Sequence, residues 1–356
     1  MTPVDSAHEC AGPATDIAFG VFDSFDRGGK DPGAVLRERL DFAVAAEAAG
    51  IDHYHVTEHH GTPLSVCPSP NLFLAALAQR TRTMRIGALV YVLPMYHPLR
   101  LAEEIATLDR LTEGRVDVGV GAGISPFELS FFGVDAPQRM PEYHRVLASL
   151  CETFETGAYV TADGEQVPLS ITPVQHPRPA LWYASTNASS STWAASNGIS
   201  LAGRWNSGQL AEVARAYWEA VIPGAALPHP LRVGPSASVV VGETDDAALD
   251  LFRDAGTRFT SDLLRLWHEH DNTAFDASYD LDNMMAKGNA LVGSVETVTD
   301  AILAQLSAAP VNYFEATLVF GTMTAAQAHD NLARFAQVMS HVRAAVPSVR
   351  SPRGTT

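Results

Sequence analysis

Eight short runs rich in β-formers recur at even spacing along the chain, each separated from the next by helical periodicity, and this rhythm restricts the possible folds more than any other feature. The runs are Ile17–Phe22, His53–Thr57, Met84–Leu93, Arg115–Val120, Ala180–Ala184, Ile199–Ala202, Ala237–Val241 and Phe314–Phe320. Helices between them carry ordinary punctuation: Pro32–Ala49 stops at Gly50, Pro70–Arg82 follows Ser69 as an N-cap, and Pro98–Leu111 ends near Gly114. Such alternation belongs to parallel α/β folds. It closes most economically into a single (β/α)8 TIM barrel, with an open doubly wound sheet as the other solution on pattern alone. The barrel is expected over residues 16–346, flanked by disordered segments at 1–15 and 347–356.

Two stretches exceed what a bare barrel needs. Phe154–Arg178, punctuated by Gly157, Gly164, Pro168, Pro173 and Pro177, reads as a small hairpin inserted before the fifth strand. Thr244–Ala290 follows the seventh strand, helical over Leu249–Glu269 and then polar and acidic. It is either a lid over the catalytic rim or a surface excursion.

A net charge of -16 with no basic run argues against a nucleic-acid or anionic-membrane partner. Cys10, Cys67 and Cys151 form no paired or CxxC pattern, so neither a disulfide framework nor a metal site is expected. A cytoplasmic location follows from that cysteine usage and from the lack of a leader-like apolar segment.

In a barrel, functional groups sit on loops after the strands. Thr57-Glu58-His59-His60 ends the second strand at such a place, and alternation turns only one of the two histidines toward the pocket. A rim histidine can serve acid–base chemistry or merely hold structure, and Glu58 could simply bind a loop amide. The run Val118-Gly119-Val120-Gly121-Ala122-Gly123 lacks the dinucleotide spacing and reads instead as backbone opened for a ligand. After the fifth strand, Thr186-Asn187-Ala188-Ser189-Ser190-Ser191 brings hydroxyls and free amides to a helix N-terminus. That arrangement suits a phosphate, with simple capping as the plainer reading. Phe22, Phe25, Tyr91, Phe127, Trp182 and Trp205 suggest an apolar ligand, though packing explains most aromatics equally well.

Taken in order, Thr57–His60, Ile86–Pro98, Ala102–Arg115, Val118–Gly123, Phe131–Asp135, Thr186–Ala195 and Gly293–Val319 resemble the bacterial luciferase-like monooxygenase family. That resemblance implies a flavin-dependent monooxygenase. It would take reduced FMN (FMNH2) from a separate reductase, form a C4a-peroxyflavin with O2, and oxygenate a hydrophobic organic substrate. Carried over by motif, His59 is the catalytic histidine, with Glu58 orienting it or lining the pocket. Ala88, Leu89, Val90, Gly121, Gly123, Thr186, Asn187, Ser189 and Ser190 become flavin contacts, with a non-prolyl cis bond expected at Leu89–Val90. A homodimer is the expected assembly.

One departure stands out. Ala122 occupies a position where the family frequently has a phosphate-binding arginine, and Arg204, beyond the sixth strand, is a possible substitute. The alternatives are a deazaflavin-dependent hydride transferase on the same barrel, or a non-catalytic subunit of a luciferase-like heterodimer.

Overall fold

The computed structural model describes residues 16–184 and 187–350, with side chains as far as 346. The chain runs β1 (Ala18–Asp23), α1 (Pro32–Ala48), β2 (His53–Val56), α2 (Pro70–Ala78), β3 (Arg85–Val92), α3 (Pro98–Leu111) and β4 (Val116–Gly121). Next come α4 (Pro126–Phe131), α5 (Arg139–Thr156), β5 (Ala158–Val160), β6 (Gln166–Pro168), β7 (Ala180–Ala184), α6 (Ala188–Ser196), β8 (Ser200–Gly203) and α7 (Ser207–Ala220). The last third holds β9 (Val233–Val241), α8 (Asp245–His268), α9 (Leu281–Ala286), β10 (Ala290–Gly293), α10 (Val295–Ala308), β11 (Tyr313–Thr317) and α11 (Ala325–Arg350).

Parallel pairing follows β1-β2-β3-β4-β7-β8-β9-β11 and returns from β11 to β1, so eight strands close a (β/α)8 barrel. These eight coincide with the runs read from sequence. The antiparallel β5–β6 hairpin is the insertion expected before the fifth barrel strand. α8 and α9 fill the insertion after the seventh.

Three boundaries differ from expectation. β10 is a ninth strand, lying beside Ser238–Val241, because the lower part of long β9 pairs with β8 and its upper part needs another neighbour. Ser69 occupies the N-cap of α2, yet its side chain makes no cap bond. α11 continues to Arg350, so the tail boundary drawn at 346/347 falls inside a helix. Residues 1–15 and 351–356 lie outside the described residues, and no described helix is long and apolar enough to cross a membrane.

Alternation along each strand divides the core in two. One face packs outward against the helices, through residues such as Val21, Tyr54, Ile86, Val118 and Phe314. The other fills the lumen, where Ala18, Leu89, Trp182, Ala202 and Tyr313 meet from strands that are not all neighbours.

The lumen floor is polar. His53 Nδ1 lies 2.7 Å from Asp117 Oδ2, His55 Nε2 lies 3.2 Å from that same oxygen, and His55 Nδ1 lies 2.8 Å from Glu315 Oε1. Arg85 Nε donates to the other Asp117 oxygen at 2.8 Å, and the Tyr313 hydroxyl donates to Glu315 at 3.2 Å. Burial would push His55 toward neutrality, but its hydrogen bonds to the two carboxylates outweigh that and hold its pKa up at about 9. His53 goes the other way, because burial dominates the pull of Asp117. Asp117 resists its own burial through Arg85 and both imidazoles, and is held well below the usual carboxylate range.

His53, His55 and Asp117 are a trio of metal-ligand composition that the sequence reading did not expect, with donor atoms within 4.8 Å of one another. Those atoms are already bonded to each other, and Arg85 already neutralises Asp117, so the trio acts as a buried ion-pair network. A cavity beneath it, lined partly by Arg85, Trp182 and His229, opens at the N-terminal ends of the strands. In this fold that end serves stability.

Candidate active site at the barrel mouth

At the opposite end, β2 delivers Thr57, Glu58, His59 and His60 to the C-terminal rim. The two histidines diverge, as strand alternation requires. His59 Nδ1 lies 3.2 and 3.3 Å from the two carboxylate oxygens of Glu128, a residue in the first turn of α4. Glu128 also accepts the His60 backbone N–H at 2.8 Å, while Ser125 caps the helix by accepting the Glu128 N–H. With Nδ1 donating to Glu128, His59 presents Nε2 as its acceptor, and no described residue bonds that atom.

Glu58 does not touch His59. Its buried carboxylate accepts the Val92 amide at 2.7 Å, the Tyr96 hydroxyl at 2.6 Å and a bond from His60 Nε2 at 3.0 Å. The plainer alternative, a carboxylate holding a loop amide, is therefore what the geometry shows, and Glu58 fastens the end of β2 to the end of β3. His60 completes this brace and packs edge-on against Phe132. Burial, with the Glu58 charge, drives the Tyr96 hydroxyl far above its ordinary pKa, so it stays a donor.

The Leu89–Val90 peptide is cis, where the sequence placed it, and the β3–β4 register shifts between Ala88 and Tyr91. Leu89 and Val90 belong to the lumen cluster, whereas Ala88 faces the helical layer and is not brought to the mouth by its side chain. The glycine run of β4 is explained by this neighbour. A Cβ on Gly119 would stand 2.3 Å from the Ala88 carbonyl oxygen, and one on Gly121 would stand 2.4 Å from Val90 Cγ2. These glycines thus admit the irregular strand β3.

Beyond β7, Asn187 caps α6 by accepting the Ser190 N–H at 3.0 Å. Ser191 is spent on packing, donating to the Val213 carbonyl at 2.8 Å. Ser189 is exposed in the first turn, and Thr186 lies outside the described residues. Sequence reading missed Arg139, at the start of α5, which reaches back to the Gly123 carbonyl at 3.1 Å. Its charge also bears on Tyr183 of β7: burial raises the phenol's pKa, and Arg139 opposes that rise. Arg139 has no carboxylate partner within 4 Å among the described residues. It thereby brings a cation to the residue beside Ala122, where the arginine that the resemblance implies is absent.

Arg204 does not fill that vacancy. It follows β8 and reaches away from β7, donating to Ser238 Oγ on β9 at 3.3 Å and lying 5.9 Å from the ring centroid of Tyr279. Tyr279 belongs to the insertion after β9, which also stacks His270 on Phe127 at 3.9 Å and sets Trp267 against the same ring. That insertion therefore covers part of the mouth. Of the aromatics singled out earlier, Phe25, Tyr91, Trp182 and Trp205 are fully packed; Phe22 and Phe127 are the partly exposed ones.

Comparison with known proteins identifies the family and the fold. The family model described as luciferase-like monooxygenase matches residues 17–312. Uncharacterized protein y4wF of Sinorhizobium fredii is 32% identical over 320 residues, covering 86% of this chain and 92% of its own. Among solved structures, the monooxygenase RslO1 from Streptomyces bottropensis superposes with a TM-score of 0.80 at 23% identity, covering 90% of this chain and 98% of its own. The oxygenating constituent of 3,6-diketocamphane monooxygenase from Pseudomonas putida, a type II Baeyer–Villiger enzyme in complex with FMN, gives 0.76 at 22%, covering 92% and 98%.

Proposed function

The chain belongs to the luciferase-like monooxygenase family, and from that membership we propose that it is a flavin-dependent monooxygenase using reduced FMN and O2 to oxygenate a hydrophobic organic substrate at the barrel mouth. The observation that carries this reading is the His59–Glu128 pair, set at the same rim as the Leu89–Val90 wall and the capped N-terminus of α6.

The residues present suit FMN. Leu89, Val90 and Gly121 would lie along its ring system. The phosphate would meet the first turn of α6, through Asn187, Ser189 and Ser190, with Arg139 as the counter-charge. When bound, reduced flavin supplies the electrons that activate dioxygen. His59 takes and returns a proton at Nε2, and Glu128 fixes the ring's tautomer and steadies the imidazolium. Glu58, Tyr96 and His60 keep the β2 and β3 ends in register, while the insertion's aromatic side chains limit water at the rim.

The named 3,6-diketocamphane enzyme is an oxygenating constituent, which supports a separate reductase partner here, and a homodimer belongs to the same reading. Anaerobic titration with FMNH2 followed by an oxygen pulse tests the proposal. Saturable FMNH2 binding and substrate-dependent incorporation of one oxygen atom are expected. Anaerobic turnover with a reduced deazaflavin, and none with FMNH2 and oxygen, would refute it.

A further inference from the structure

Three polar groups on the β8–β9–β11 side of the mouth form a site that the flavin reading does not use. Arg204 Nη1 is buried without a hydrogen-bond partner, although Nη2 is held by Ser238. Thr317 Oγ1, on the lumen-facing side of β11 and in register with Ser238, is likewise buried without a partner. No carboxylate lies within 4 Å of Arg204 among the described residues. The other cations of the barrel interior are matched: Arg85 with Asp117, and His55 with Glu315. In a chain with 40 acidic and 24 basic residues, an interior-facing arginine without a counter-ion is an electrostatic anomaly. A partly buried guanidinium with one unmet donor strongly favours an oxyanion, because the same ligand supplies both the missing charge and the missing acceptor.

We infer that Arg204, assisted by the Thr317 hydroxyl, anchors an anionic oxygen on the organic substrate, so that the enzyme takes a carboxylate-bearing apolar molecule. The inference rests on the reading that an organic substrate is oxidised at this mouth. Tyr279 lies over the guanidinium from the insertion, so the anchor sits where the insertion meets the barrel. The directions of the two unmatched arginines separate their roles. Arg139 lies by β4 and β7, near the α6 N-terminus, whereas Arg204 turns toward β9.

The test uses the full chain, with and without FMN, and two matched pairs of probes: octanoate against 1-octanol, and benzoate against benzyl alcohol. Calorimetric titration of the parent protein is expected to favour the carboxylate of each pair by at least about tenfold, a charge-assisted contact's usual worth. Arg204→Gln is expected to abolish that preference while leaving affinity for FMNH2 within about twofold. Arg204→Lys should restore part of the preference, which guards against a fold defect. No carboxylate preference in the parent, a preference that survives Arg204→Gln, or a loss of FMNH2 affinity in its place would overturn the assignment. If the chain binds no FMNH2 but the carboxylate preference still depends on Arg204, the monooxygenase reading fails and the anion site stands.

Discussion

Replacing His55 with Gln should flatten the pH dependence of stability on the alkaline side of neutrality. The folded pKa of His55, about 9, lies above the ordinary 6.5, so the folded state retains a proton that the unfolded chain gives up. Its stabilisation is complete below pH 6.5 and disappears as pH rises through 9. The full contribution is about 3 kcal/mol, of which about 2 kcal/mol is lost between pH 7 and pH 8.5. Other groups bound this window on both sides. Below it, His53 acts in the opposite sense, since a pKa lowered by burial costs stability as acid protonates the unfolded chain. Above it, the buried Cys67 thiol, pushed up to about 12, begins to contribute as unfolded thiols ionise. Urea unfolding at constant ionic strength, followed by far-ultraviolet circular dichroism, measures both proteins at pH 7.0, 7.5, 8.0 and 8.5. The parent should lose stability steadily, and His55→Gln should start less stable and change little. A flat parent profile, or equal slopes in the two proteins, would refute the argument that the floor carries a charged His55.

Glu128→Gln removes the carboxylate that orients His59, and turnover should fall by about a hundredfold with little change in flavin affinity, read by stopped-flow with FMNH2. An unaltered rate and pH profile would remove Glu128 from the site. Gly119→Ala sets a Cβ against the Ala88 carbonyl oxygen and should cost about 3 kcal/mol or more in denaturant unfolding. Gly121→Ala meets only the side chain of Val90, so its smaller cost should be partly relieved by adding Val90→Ala, and a double variant no better than the single would contradict this packing. Asp26, whose burial outweighs its attraction to Arg39, has a pKa raised to about 6 and so loses stability as pH rises from 4 to 6. Asp26→Asn should therefore exceed the parent's stability at pH 8 by roughly 1–3 kcal/mol and lose that advantage by pH 4.5, as followed by thermal unfolding.

The barrel was legible because its eight strands are short runs of β-formers set at regular intervals between helical segments, the composition that buried parallel strands favour. The start of β9 was not legible, since Gly234 and Pro235 read as a breaker. In the folded chain Gly234 is required, because a Cβ there would lie 1.8 Å from the Tyr313 carbonyl oxygen. β10 escaped notice as four residues at the end of a long insertion, and it is a strand only because the upper half of β9 lacks a partner. Glu128 was hidden differently. Ser125-Pro126-Phe127-Glu128 reads as an ordinary helix start, and the glutamate stands 69 residues from His59, a proximity created by β2 and β4 flanking β3 in the sheet. Arg139 offered a weak local signal, a cation at the start of the helix that follows the glycine run.

The Glu58-His59-His60 segment shows how a two-residue period divides one motif into two devices. His53 and His55 face the lumen while Tyr54 and Val56 face the helices, and the same parity carried past the strand end sends His59 to the lumen side with Glu58 and His60 opposite it. Geometry obeys that parity, for Glu58 and His60 bond each other and reach Val92, Tyr96 and Phe132, whereas His59 turns to Glu128. A motif carrying two histidines and a carboxylate therefore assembles no triad of its own. Its proposed acid–base group is completed from α4, and its remaining members set the spacing of the strand ends on which that group depends. Loss of Glu58 would accordingly act through the position of the β3 end, leaving the Val92 amide without an acceptor. Loss of Glu128 would act through the proton on His59.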